Sequence, residues 1–208
     1  MIMKKIFVLL SFLLSACTLP ITYNDTHQQA KPNANLLPAM HTKVYTQNLK
    51  AAFADITNDE EKPDKTTRDV IVDDAINIFE RKVEQNITTG EGEKNGYIAL
   101  RVQYVELQHS TGLRAASIAT LGLLNMVGFP VDKHTQIMEA EVEIMNKKHG
   151  VIKRYTETVE SSAFRARYWG YQRSDVNRKV SAENMKKFMQ IISAKINSDA
   201  PEIRQKLN

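Results

Sequence analysis

Two segments of the chain carry the apolar spacing of amphipathic helices. In residues 67–87 the apolar positions recur every three or four residues: Ile71, Ala75, Ile78, Phe79, Val83 and Ile87. Residues 175–197 repeat the pattern with Val176, Val180, Met185, Phe188, Ile192 and Ile196. Because 3.6 residues complete a helical turn, each set lies on one stripe, and the spacing predicts two helices that each bury one face.

Alternating apolar and polar residues predict the strands. The clearest run is residues 138–144, where Met138, Ala140, Val142 and Ile144 alternate with glutamates. A polar turn at residues 146–150 leads into residues 151–163, and together these segments predict a β-hairpin.

Two further segments fit a period of two. Residues 97–109 alternate until Tyr104, after which the apolar phase shifts by one residue, and such a shift predicts a β-bulge. Within residues 43–56, Leu49, Ala51 and Phe53 have strand spacing and predict the first strand. The predicted order is therefore β-α-β-β-β-α.

This order predicts an α+β fold, with a single mostly antiparallel sheet of about four strands and two amphipathic helices packed on one face. The predicted domain covers residues 42–200 and is followed by a C-terminal tail, residues 201–208. Residues 17–41 are rich in Asn, Gln, Thr and Pro and have no sustained apolar period. We interpret them as a flexible tether.

An apolar insertion, residues 112–131, interrupts this pattern, and its residues 115–130 contain no charge. One interpretation, which the sequence alone favours, is a buried helical crossover. The other is an exposed surface that contacts a membrane, a second copy or a partner protein. Its candidate interaction residues are Leu121, Leu123, Leu124, Met126 and Phe129.

A second candidate site is the cluster at residues 164–173, where arginines alternate with aromatic residues. Such side chains bind anionic or planar ligands, and the candidate ligand-binding residues are Arg165, Arg167, Tyr168, Trp169, Tyr171 and Arg173. The alternative, which the sequence favours, is that the aromatic rings cap the core and the arginines are solvated.

The N-terminus has the pattern of a secretory signal. Lys4 and Lys5 precede an apolar run at residues 6–14 that is too short to span a membrane. Leu14-Ser15-Ala16-Cys17 resembles the bacterial lipobox. The resemblance implies that residues 1–16 are a signal peptide cut between Ala16 and Cys17, and that Cys17 is acylated with palmitate-type chains.

Charge and composition limit the other function classes. The formal net charge of +4 falls to +2 when Lys4 and Lys5 leave with the signal, which is too small to indicate nucleic-acid binding. The chain has one cysteine, and its five histidines lie far apart without metal-ligand spacing: His27, His41, His109, His134 and His149. We expect no metal, no cofactor and no catalytic residue; an unrecognised hydrolase is the minor alternative.

The mature chain resembles small α+β outer-membrane lipoproteins of Gram-negative bacteria, on the strength of residues 122–130 and Tyr168-Trp169-Gly170-Tyr171. The resemblance implies no activity. By the same kind of resemblance, Thr18 in place of Asp after the cysteine implies the outer membrane, with the periplasmic face favoured. The expected function is a non-enzymatic assembly factor that contacts an envelope protein or itself through residues 112–131. The alternative is a binding module for an anionic glycan or lipid that uses residues 164–173.

Overall fold

The computed structural model describes residues 36–54, 65–166 and 173–207. The predicted signal peptide, Cys17 and most of the predicted tether lie outside the described residues. The elements follow in the order β1 (His41–Val44), α1 (Thr46–Ala52), α2 (Lys65–Asn86), β2 (Gly96–His109), α3 (Thr111–Ala119), α4 (Leu123–Met126), β3 (Asp132–Asn146), β4 (Val151–Arg165) and α5 (Arg173–Leu207).

The four strands form one sheet in the order β1-β2-β3-β4. Strand β1 runs parallel to β2, whereas β2 with β3 and β3 with β4 are antiparallel. The α+β class and the mostly antiparallel sheet are therefore confirmed. The predicted bulge is confirmed as well, since the β2–β3 register shifts between Val102 and Tyr104.

The core lies between one face of the sheet and the two long helices. Alternate β3 residues from Met138 to Ile144 are fully buried, and they pack with residues of α2 and α5 such as Phe79, Phe188 and Ile192. Burying one such side chain stabilises the fold by about 1.5–3 kcal/mol. The two predicted amphipathic helices thus form as expected, and α5 is longer than the spacing indicated.

Three predicted boundaries or elements are corrected. The expected strand at Leu49, Ala51 and Phe53 is instead helix α1, with Phe53 as its C-cap, and the buried Leu49 and Phe53 lie four residues apart on the same side. The packed chain begins before residue 42, because Leu37 is fully buried and its amide donates to Ile87 O at 2.8 Å. The predicted tail at residues 201–208 continues α5 to Leu207 and places Ile203 in the core.

Candidate functional site

The insertion at residues 112–131 turns its apolar side chains to solvent. Leu121 is 90% exposed, Val127 is 78% exposed and Ile118 is 75% exposed. Leu123, Leu124, Met126 and Phe129 are exposed as well, and α3 has no buried residue. The buried-crossover interpretation is therefore wrong. We call residues 112–131 the apolar knob.

Several polar groups of the apolar knob make hydrogen bonds within it. Asn125 is buried, and its Nδ2 donates to Ser117 Oγ and to Phe129 O, each at 3.1 Å. The Phe129 amide donates to Leu124 O at 3.0 Å, and the Gly122 amide donates to Ser117 O at 2.8 Å. Because these bonds hold the backbone from inside, the apolar side chains are displayed on a defined surface rather than on a loose loop.

The turn at the tip of the apolar knob is strained. Leu121 has φ +50°, and Gly122 follows with φ +78°. Only glycine adopts this left-handed region without cost; a branched side chain there costs about 1 kcal/mol. The most exposed large side chain of the knob is therefore held in an unfavourable backbone conformation. Such strain persists where the surrounding structure fixes it, and it clusters at functional segments.

Asp132 joins both ends of the apolar knob to the sheet. Its Oδ1 accepts the amides of Ser110 at 3.0 Å and Lys133 at 2.8 Å. Its Oδ2 accepts Arg114 Nε at 3.0 Å and Arg114 Nη2 at 2.9 Å, together with His109 Nδ1 at 2.9 Å. One buried carboxylate thus fixes the end of β2, the first turns of α3 and the start of β3.

His134 lies directly behind Asp132 and is fully buried. Its Nδ1 lies 2.8 Å from Asn177 Oδ1 on α5. An amide oxygen only accepts, so His134 Nδ1 carries the proton and donates. The Nε2 atom lies 3.6 Å from Asp132 Oδ2 and has no hydrogen-bond partner among the described residues.

The charges of this cluster are set by burial and by close partners. Burial opposes ionisation of Asp132, but the hydrogen bonds from Arg114 and His109 outweigh it, so the pKa of its carboxyl is lowered. Burial also lowers the pKa of His134, against the hydrogen bond to Asn177, and keeps this ring neutral. The pair is thus an ionised carboxylate facing an uncharged imidazole.

Polar side chains continue along the same face of β3 against α5. Gln136 Nε2 donates to Ser181 Oγ at 2.9 Å, and Asn184 Nδ2 donates to Gln136 O at 2.9 Å and to Gln136 Oε1 at 3.0 Å. All three side chains are buried. The interface of β3 with α5 is therefore apolar at one end and hydrogen-bonded at the end that carries the apolar knob.

Sequence reasoning missed the cluster of His109, Asp132 and His134. The histidines are 25 positions apart, but β2 and β3 pair His109 directly with His134. A signal was present, since Asp132, His134 and Gln136 continue the alternate positions occupied further on by Met138 and Ala140. Polar residues on an otherwise buried face indicate a site once the strand register is known.

The Arg/aromatic cluster is described only in part. Phe164 is exposed and Arg165 is half-buried at the end of β4, where Arg165 O accepts the Val131 amide at 2.8 Å. Arg167, Tyr168, Trp169 and Tyr171 lie outside the described residues, and the side chain of Arg173 is not described. Beside Phe164 is an open cleft of about 440 Å³, lined by Gly128, Pro130, Ser162, Ala163, Phe164, Ala166, Val176 and Lys179.

The comparisons with known proteins found similarity only to solved structures. No protein-family model and no curated protein matches the chain. A "putative lipoprotein" from Caulobacter crescentus CB15 aligns with 7% identity and a TM-score of 0.36, over 64% of this chain and 81% of its own. A "minor lipoprotein" from Acinetobacter baumannii aligns with 11% identity and a TM-score of 0.39, over 79% of this chain and 92% of its own. Likeness at these levels carries no argument about function.

Proposed function

We propose that the protein is a lipid-anchored lipoprotein of the bacterial envelope that docks a partner protein through its apolar knob. The observation that carries the proposal is the placement of Ile118, Leu121 and Val127 in solvent on a segment that is held by its own hydrogen bonds through Asn125. A contiguous exposed apolar surface of this kind marks an interaction site. The protein then acts as an interaction or assembly factor rather than as an enzyme.

The anchor part of the proposal rests on the N-terminal sequence. Leu14-Ser15-Ala16-Cys17 supplies the acylated cysteine, and the periplasmic face of the outer membrane is the proposed location. Several acyl chains hold a protein at a bilayer where a single chain does not. No helix within residues 36–54, 65–166 and 173–207 has the length and apolar character that a membrane crossing requires.

The geometry favours a protein, rather than the bilayer that holds the anchor, as the partner that binds the apolar knob. The chain enters the sheet at β1, which pairs with the first residues of β2, and the knob follows His109 at the other end of β2. Fourteen residues at about 3.3 Å each separate these two ends by roughly 45 Å. A domain tethered at one end presents the opposite end, and with it the knob, away from its own anchor.

The charge pattern of the knob points the same way. Residues 115–130 contain no lysine or arginine, whereas segments that lie in an anionic bilayer surface carry cations beside their apolar face. The guanidinium of Arg114, which precedes this stretch in the sequence, is bound to Asp132. An apolar groove on a protein therefore matches the knob better than lipid headgroups do.

Site-specific photocrosslinking in intact cells tests this function. A photoreactive amino acid replaces Leu121 in the lipidated protein, and a matched variant carries it at Val151, which is also exposed but lies beside the turn between β3 and β4. We expect a discrete protein adduct from position 121 that is absent from position 151. An adduct of twice the chain's own mass identifies a second copy as the occupant.

Polar substitution of a neighbouring residue completes the experiment. Val127→Gln leaves the core intact and removes apolar area from the knob, so it reduces the adduct formed at position 121. The same adducts from both positions, or adducts to lipid alone, contradict docking of a protein by the knob.

The cleft beside Phe164 supports a second candidate function, which is the binding of an anionic glycan or lipid. Its lining includes the cationic Lys179 and also Ala166, the residue before Arg167 in the sequence. Titration of the full chain with an anionic glycan, comparing wild type with Arg167→Gln, tests it. Unchanged affinity on substitution argues against this alternative and leaves the knob proposal unaffected.

A further inference from the structure

The Nε2 atom of His134 is a buried acceptor that lacks a partner within the described part of the chain. Its ring is fully buried, and the proton sits on Nδ1, which donates to Asn177. The lone pair of Nε2 faces Asp132 Oδ2 at 3.6 Å. Two acceptors facing each other in a buried site are unfavourable unless something positive lies between them.

We propose that His109, Asp132 and His134 form a binding site for a zinc-class divalent cation. The ligands are His109 Nδ1, Asp132 Oδ2 and His134 Nε2. When the cation binds, the half-buried His109 ring gives up the Nδ1 proton that it donates to Asp132 and carries its proton on Nε2 instead. One ligand atom from each residue lies within 4.8 Å of the others, and the distances from Oδ2 are 2.9 Å to His109 and 3.6 Å to His134. Ligand atoms around a tetrahedral zinc are about 3.3 Å apart, given bonds of about 2.0–2.1 Å.

The atoms behind the ligands hold them in position for a metal. Asn177 fixes the tautomer of His134 by accepting from Nδ1, as the partners of metal-bound histidines do. The Ser110 and Lys133 amides occupy Asp132 Oδ1, which leaves Oδ2 as the oxygen directed at the two rings. Three protein ligands leave the fourth tetrahedral position for water.

The donor set selects among cations. Two imidazole nitrogens and one carboxylate oxygen suit Zn²⁺ and its neighbours in the first transition row. Calcium and magnesium prefer sites made of oxygen alone. Zinc is therefore the appropriate probe, and Co²⁺ reports the geometry of the same site.

Arg114 competes with the cation for Asp132 Oδ2. Its Nε and Nη2 atoms both reach this oxygen, yet its side chain is about half-exposed and can move into solvent. Since Arg114 belongs to α3, metal binding breaks the Arg114–Asp132 contact, which is one of the contacts between the sheet and the apolar knob. Because Arg114 and the cation compete for the same oxygen, removal of the Arg114 side chain should strengthen metal binding.

Zinc titration calorimetry of the full chain tests the site, with visible absorption of bound Co²⁺ as the second readout. All samples carry Cys17→Ser and no histidine tag, so that no thiol or added imidazole binds metal. We expect one equivalent of zinc, with affinity at least tenfold weaker in His109→Gln. In Arg114→Ala it should be about tenfold tighter, because a charge-assisted hydrogen bond to the ligand oxygen is lost.

His149→Gln is the matched control, because His149 is exposed and stacks on Tyr97 at 4.4 Å near the opposite end of the sheet. It should bind zinc as the parent does. Zinc binding that is unchanged in His109→Gln, or lost in His149→Gln, overturns the proposal. So does the absence of zinc binding by both the parent and Arg114→Ala. These variants leave buried His134 in place, so the test does not depend on a substitution in the core.

Discussion

Helix α5 and the apolar knob use similar residues in opposite ways. In α5, Met185, Phe188 and Ile192 are fully buried against the sheet, whereas in the knob Leu121 and Val127 are exposed. In the knob the buried side chain is instead an asparagine that bonds to the segment's own backbone. Apolar composition alone therefore does not determine burial; what decides it is whether a second layer is available to cover the residues.

The largest expected contrast comes from truncating one apolar side chain in each region. Phe188→Ala removes a ring from a closed core and should lower the free energy of unfolding by about 3–5 kcal/mol. Leu121→Ala removes a side chain already in water and should change it by less than about 0.5 kcal/mol. Denaturant unfolding of the two variants measures both. Equal losses would mean that the knob is part of the core.

Two glycines, one in the packed sheet and one in the apolar knob, test the same difference between core and knob. A Cβ on Gly96 would lie 2.2 Å from Met145 O, so Gly96→Ala forces backbone to move and should cost about 1–3 kcal/mol. A Cβ on Gly112 meets nothing within 4 Å, and Gly112→Ala in α3 should stabilise by up to about 1 kcal/mol. Thermal unfolding of both variants is the measurement, and destabilisation by Gly112→Ala would contradict an uncovered α3.

The internal bonding of the apolar knob predicts a local effect. Asn125→Ala removes the donor to Ser117 and Phe129, at a cost of about 1–2 kcal/mol confined to the knob. Hydrogen exchange should accelerate about tenfold or more at the amides of Gly122 and Phe129 and stay unchanged in β3 and α5. Acceleration throughout the sheet would show that the knob and the core unfold together.

The smallest expected effect concerns acid stability at the far end of α5. Hydrogen bonds from Lys153 and then from Tyr155 lower the pKa of Asp199. A lowered pKa in the folded state adds stability above the carboxyl's ordinary range, and this stability is lost as the pH falls through the lowered pKa. Asp199→Asn should therefore flatten the decline in unfolding free energy on acidification.

The matched control for Asp199→Asn is Asp73→Asn, which removes one negative charge from the exposed side of α2. Unfolding free energies measured from neutral pH down to about pH 2 compare the two variants. An identical pH slope in Asp199→Asn and in wild type would refute the role of this carboxylate.

Local periodicity was enough to predict the long helices and the β3–β4 hairpin, because each has many residues on one buried face. It failed at α1, where Leu49, Ala51 and Phe53 fit a period of two although Leu49 and Phe53 lie one helical turn apart. Seven residues are too few to separate the two periods.

The candidate sites depended on information that is not local. The charge-free insertion was recognisable, but its exposure follows from how α3 and α4 lie outside the layers of the fold. The cluster of His109, Asp132 and His134 requires the β2–β3 register, which pairs residues 25 positions apart. Alternation predicts which residues share a face, whereas the register determines which residues meet across strands.

Thiol accessibility at the tip of the apolar knob tests the central claim most directly. Since Cys17 is the only cysteine and is acylated under our proposal, Leu121→Cys or the control Val151→Cys introduces a single reactive thiol. We predict that a membrane-permeant maleimide labels Leu121→Cys slowly in intact envelopes and rapidly in purified protein, whereas Val151→Cys reacts rapidly in both. Equally rapid labelling of Leu121→Cys in envelopes and in purified protein would contradict a docked knob.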